Sequence, residues 1–252
     1  MAATATMTET VTANGMDNGI ANGLSHGLMA AWADIDPDYV LRYQRWLNCE
    51  HMIERVSIPG FLRGRRYRSI NDTPHFFVTY ETQSTAVLSS DEYMKRLNSP
   101  TPWTQEALSH FRNNTVRNIY SEIATTGNPG EFAAPYIVPV RFDLPDSKAE
   151  AVYAARWMKA ACEDDGVERI RLYRQDSAIG NITTSERKIY NAGPGEQAYL
   201  LLIEYLKPPP ECVGDLFKRW DAAFAGEAHI ERTNEEYGTY WLEMAHKSGE
   251  AA

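Results

Sequence analysis

The stretch RWLNCEHMIERVSIPGFLRGRRYRS, residues 45–69, sets Glu50, His51, Glu54 and Arg55 close together at the end of an amphipathic pattern. An imidazole with an unperturbed pKa of about 6.5 can give or take a proton near neutral pH, so His51 is a candidate general acid or base. Glu54 lies one turn further on, where it could orient the ring or raise its basicity. In the strand that follows, a period of two puts Arg63, Arg65 and Tyr67 on one face and Gly64, Arg66 and Arg68 on the other. A guanidinium directed at a bound molecule, Arg65 or Arg63, could stabilise a carboxylate or a developing enolate. In PHFFVTYET, His75, Phe77, Thr79 and Glu81 share a face that is too polar for a dry core and suits a cavity wall. Catalysis is therefore expected of His51, Glu54 and Arg65. Substrate contacts are expected of Trp46, Arg63, Tyr67, His75, Phe77, Glu81 and Tyr120. Each has a plainer reading: a histidine stabilised by the helix dipole, or an edge strand whose charges oppose aggregation.

The elements that must hold these residues follow from periodicity. A strand at LMAAWADI leads to a helix in DPDYVLRYQRWLNCEHMIERV, capped by Asp36 or Asp38 and closed by IPG. Strands follow at FLRGRRYRSI and HFFVTYET, then helical sequence over 84–112 broken at NSPTP, then a strand at TVRNIYSEIA. This is the βαββαβ order of a ferredoxin-like unit. After a Gly- and Pro-rich linker at 125–135 the order recurs, with a long loop at 177–196 and a final strand at EYGTYWLEMA. Letters recur too: Arg45–Trp46 with Arg156–Trp157, and RRYR at 65–68 with RLYR at 171–174. The expected fold is α+β, with two tandem ferredoxin-like repeats at 28–126 and 135–247 packed as an α+β barrel within one chain. The Ala-, Thr-, Asn- and Gly-rich residues 1–27 read as a disordered leader.

Of the 252 residues 43% are hydrophobic and 23% charged, and the net charge is −9. That composition suits a globular protein and argues against non-specific nucleic-acid binding. No apolar run spans a bilayer, the start lacks a signal-peptide pattern, and three scattered cysteines make no disulfide or zinc framework. The expectation is a cytoplasmic protein with a small-molecule substrate, no membrane or nucleic-acid partner, no metal and no cofactor, with a homodimer left open.

A His at the exposed end of a helix, Pro-Gly eight residues later and an Arg/Tyr-bearing strand, EHMIERVSIPGFLRGRRYRS, resemble the EthD family of dimeric α+β barrels. The resemblance covers residues 28–82; the second half has neither the His nor the Pro-Gly. It implies a dehydratase, decarboxylase or cyclase acting on aromatic or polyketide compounds. Related barrels include isomerases, cofactor-free monooxygenases and haem peroxidases. The main expectation is thus a cofactor-independent lyase or isomerase. The alternatives are an oxidoreductase, either cofactor-free or with haem on His51 or His75, and a ligand-binding barrel without catalysis.

Overall fold

The computed structural model describes residues 26–71, 74–112, 114–129, 134–210, 213–224 and 230–249. Most of the expected leader lies outside the described residues; the first strand, β1 (Gly27–Ala33), already begins at residue 27. A helical run follows as α1 (Val40–Trp46), a π-helical turn at Leu47–His51, and α2 (Met52–Val56). Next come β2 (Phe61–Ser69) and β3 (Phe76–Thr82), then α3 (Asp91–Asn98) and α4 (Pro102–Ser109), then β4 (Val116–Gly127). The second half contains β5 (Tyr136–Asp143), α5 (Ser147–Val152), a second π-helical turn at Tyr153–Trp157, and α6 (Met158–Ala161). It continues with β6 (Val167–Gln175), α7 (Ser177–Gly180), α8 (Ser185–Tyr190), β7 (Tyr199–Tyr205) and α9 (Val213–Phe224). The last strands are β8 (Thr233–Tyr237) and β9 (Tyr240–Lys247).

Two departures from the sequence expectations matter. The presumed loop at 177–196 holds two short helices. Asp176 and Thr184 accept from the backbone N–H groups of Ile179 and Arg187, and Asn191 ends α8 in the left-handed region at φ 46°. The presumed last strand is two strands, broken at Gly238–Thr239.

Every strand pairing is antiparallel, and the order β7-β6-β4-β1-β3-β2-β9-β5 returns to β7, closing eight strands into a barrel. Strand β8 adds to β5 outside that ring. The order β4-β1-β3-β2 in the first half has the same form as β9-β5-β7-β6 in the second.

Alternation splits each strand between two environments. One set of side chains, including Leu28, Trp32, Tyr67, Phe77, Tyr120, Tyr173 and Tyr240, fills the barrel. The opposite set packs against the helices: Met29, Phe76, Val78, Tyr80 and Ile119 under α1–α4, and Val140, Leu172, Leu201 and Ile203 under α5, α6 and α9. Strand β3 is buried throughout because both its faces are covered.

Near one end of the barrel, opposed charges replace the aromatics. Glu81 accepts from Arg65 Nη1 at 2.6 Å and Arg171 Nη1 at 3.0 Å, and Arg63 Nε lies 3.1 Å from it as an ion pair. Glu204 receives Arg169, and Arg171 Nε lies 3.5 Å from it. Arg63 faces Glu81 in the β2–β3 register, as Arg169 faces Glu204 in β6–β7.

Candidate functional site

On the other side of the sheet, between its outer face and α1–α4, lies a cavity walled by Trp46, His51, Arg55, Tyr80, Tyr93 and Arg117. Its enclosed volume is about 60 Å³, within about 570 Å³ of unfilled space that includes the mouth. Part of the roof comes from the second half: Glu186 and Tyr190 of α8 close over it.

His51 ends the π-helical turn. The extra residue in such a turn re-aims the side chains that follow it, and π-turns recur at functional sites. The ring is 8% exposed, buried in the cavity wall where the family resemblance led one to expect an exposed helix end. It packs at a tilt on Trp46 at a centroid distance of 4.3 Å and meets the edge of Tyr80 at 6.3 Å. Its Nδ1 has no hydrogen-bond partner among the described residues. Burial, and then the nearby Arg55 and Arg117 guanidiniums, push its pKa well below the ordinary value. His51 is therefore held neutral at pH 7, and the same burial and charges oppose the imidazolium it would become as a base.

A polar relay behind the ring holds Trp46. The indole Nε1 donates to Thr104 Oγ1 at 3.1 Å, and the Thr104 and Thr101 hydroxyls donate to Glu50 Oε1 at 3.1 and 2.6 Å. Thr101 also caps α4, so the PTPW segment buttresses the π-turn.

The other sequence candidates fall elsewhere. Glu54 bonds Arg55 at 3.3 Å and lies 3.7 Å from Arg96, so the orienting bond expected from Glu54 to His51 is not made. Arg63, Arg65 and Glu81 belong to the barrel's charge cluster, and Tyr67, Phe77 and Tyr120 to its aromatic filling, across the sheet from His51. The polar face of β3 is thus neutralised inside the barrel; the cavity is walled by the apolar face, Val78 and Tyr80. His75 caps a turn: its N–H donates to Asp34 Oδ1 at 2.7 Å, and its Nδ1 accepts from Ile35 N at 3.2 Å.

Of the expected residues, only Trp46 and His51 meet at the cavity. Sequence reasoning missed Tyr80, Arg117, Glu186 and Tyr190. Period two on β3 and β4 places Tyr80 and Arg117 on the helix-facing side. The cap Thr184 with Asn191 was the signal for α8. In the second half, Arg232 lies over the rings of Trp157 at 5.3 Å and Phe217 at 5.0 Å and bonds Tyr153 and Asp221, packing the face beside the second π-turn.

No group of three or more His, Cys, Asp or Glu among the described residues is arranged to hold a metal ion. For the haem alternative, His75 Nδ1 is already an acceptor, and the closed cavity beside His51 holds under half of the roughly 150 Å³ in which a single benzene ring is accommodated, so it would have to open for haem as for any aromatic ligand. No helix among the described residues is long and apolar enough to cross a membrane.

Set against known proteins, this arrangement has counterparts in architecture alone. No family model matches the chain, and no curated protein matches it by sequence. Solved structures do match. A "putative monooxygenase" from Lactobacillus acidophilus superposes with a TM-score of 0.52 at 9% identity, covering 89% of this chain and 97% of that one. An anthrone oxidase-like protein gives 0.54 at 10%, covering 90% and 94%. A mutant chlorite dismutase from Candidatus Nitrospira defluvii gives 0.50 at 12%, covering 90% and 92%. The likeness is one of fold. It establishes an α+β barrel of the ferredoxin-like kind, the coarse part of the sequence expectation, and does not single out the EthD family.

Proposed function

We propose that the cavity beside His51 is the active site of a cofactor-independent oxidoreductase acting on a hydrophobic aromatic or polyketide-like carbonyl compound, with dioxygen as oxidant. The observation that carries this reading is the neutral, unpartnered His51 imidazole opening on an apolar cavity. In this mechanism His51 takes the proton from a carbon that the carbonyl acidifies, either adjacent to it or conjugated with it through the ring. The carbanion's electron pair forms a C–O bond with dioxygen; the peroxide takes the proton back and loses water, so CH₂ and O₂ become C=O and H₂O. A dry, aromatic-walled site strengthens the electrostatics of that proton transfer. Dioxygen is taken as the oxidant because a putative monooxygenase and an anthrone oxidase-like protein share the fold. The lyase or isomerase reading keeps the same first step and returns the proton to the substrate. It is favoured by Tyr80, whose buried hydroxyl is also unpartnered beside His51.

An oxygen electrode with a panel of anthrones and hydroxynaphthalenes, run under air and nitrogen, separates the two. Dioxygen uptake matching substrate loss supports the oxidase; turnover unchanged under nitrogen supports the lyase or isomerase. A His51→Ala variant that keeps turnover sinks both.

We also read the two halves as a duplication of an EthD-like unit. The matched registers of Arg63–Arg65–Tyr67 with Glu81 and of Arg169–Arg171–Tyr173 with Glu204 support it. In this reading the first half keeps the site, and Arg232 packs the corresponding region of the second.

A further inference from the structure

Arg117 is the unexplained charge of the cavity. On β4, Asn118 and Tyr120 point into the barrel, so Arg117 and Ile119 face the helices. Its Nη2 donates to the Tyr93 hydroxyl at 3.0 Å. No carboxylate comes within ion-pair distance of it among the described residues, and Glu186 and Tyr190 act on it only through space. Arg55, by contrast, is 1% exposed and bonds both Glu186 and Glu54. Two guanidiniums therefore share the cavity wall with one buried carboxylate, Glu186, while Glu54 stands at the rim between Arg55 and Arg96. Arg117 is half-buried, and a guanidinium has five N–H donors and keeps its charge at any working pH, so the donors that Tyr93 does not engage are open to water or to a ligand. An anion there would replace water with a charge-assisted hydrogen bond.

We propose that Arg117 is an anion-binding subsite, and that the cavity's ligand is an aromatic compound carrying an acidic oxygen, a carboxylate or an ionised phenol or enol. The proposal deepens the function above and rests on the cavity being the active site. The anionic oxygen lies against Arg117 while His51, which feels the same guanidinium, faces the reacting carbon. Because the closed cavity is smaller than one ring requires, α8 must move outward to admit the ligand; it is fastened by Ser185 N to Asn98 Oδ1 at 3.0 Å and by Glu186 to Arg55.

The test is calorimetric binding of 2-naphthoate and of its neutral isostere 2-naphthamide to the full chain. Wild type is expected to favour naphthoate by about tenfold or more, the scale of a charge-assisted hydrogen bond. Arg117→Gln should erase that preference by weakening naphthoate far more than naphthamide, and Arg117→Lys should restore part of it. Equal binding of both probes by wild type, equal losses in Arg117→Gln, or no binding of either probe overturns the proposal. Should Arg117→Gln fail to fold, the wild-type ratio and Arg117→Lys still decide it. The two readings fail separately. Lost turnover in His51→Ala without naphthoate selectivity removes the subsite alone; selectivity that depends on Arg117 with turnover intact in His51→Ala removes the acid/base assignment alone.

Discussion

Replacing Glu81 by Gln tests whether the barrel's charge cluster is scaffold. Burial by itself would raise this carboxyl, but Arg171, Arg65 and Arg63 outweigh it and hold the pKa at about 2, against an ordinary 4.5. At about 1.36 kcal/mol per pH unit that difference is roughly 3 kcal/mol of folding free energy. Breaking a buried ion pair by removing one partner costs about 3–5 kcal/mol, in agreement. For a chain of this size the expected fall in melting temperature is about 6–12 °C. The assay is urea unfolding of wild type and Glu81→Gln at pH 7, repeated down to pH 2. The folded-state pKa lies below the unfolded one, so the carboxylate's contribution is complete above about pH 4.5 and is lost as pH falls toward 2. The two stability curves should converge over that window, and the folded variant should keep its activity. A difference under about 1 kcal/mol at pH 7, or one unchanged down to pH 2, would refute the reasoning.

His51 should remain neutral below pH 6.5, seen as an imidazole ¹H–¹³C shift that does not titrate there. Because unfolding lets the ring bind a proton it refuses when folded, stability should drop as pH falls below 6.5, and His51→Gln should flatten that slope; a ring titrating at 6.5 or above contradicts it. Gly64→Ala would set a Cβ 2.9 Å from Met52 Cγ and 3.0 Å from Tyr80 Cε1. It should destabilise by about 1–2 kcal/mol in urea unfolding and raise KM by displacing Tyr80 from the cavity wall.

The scaffold was legible where periodicity has one interpretation. Arg63, Arg65 and Tyr67 do share a face, as do Phe76, Val78 and Tyr80, because a strand's alternation is set by its backbone. What alternation cannot say is which face borders empty space. Thr79 and Glu81 looked like a cavity wall because they are polar, but Glu81 finds its partners on β2 and β6, the latter about 90 residues away. Pairing at that range depends on how the barrel closes. The same holds for Arg117 and Glu186, which reach one cavity from different halves. His51 was singled out by type and position alone, while its burial comes from a π-turn and from α8, neither of which was read from the local pattern.

The thin seam between β9 and β5 bears on how the protein is made. Only Tyr240 and Trp241 of β9 pair with β5, whereas β9 follows β2 for seven matched positions from Arg63 to Ser69. By hydrogen bonding, the last strand belongs more to the first half than to its own. During synthesis β2 must wait with an open edge until residues 240–247 emerge, and the cavity lacks its α8 roof until residue 190 has been added. A chain interrupted in the 128–135 connection would expose that edge, so two separately expressed fragments should gain structure only on meeting each other. Neither half keeps its outer strands paired without the other.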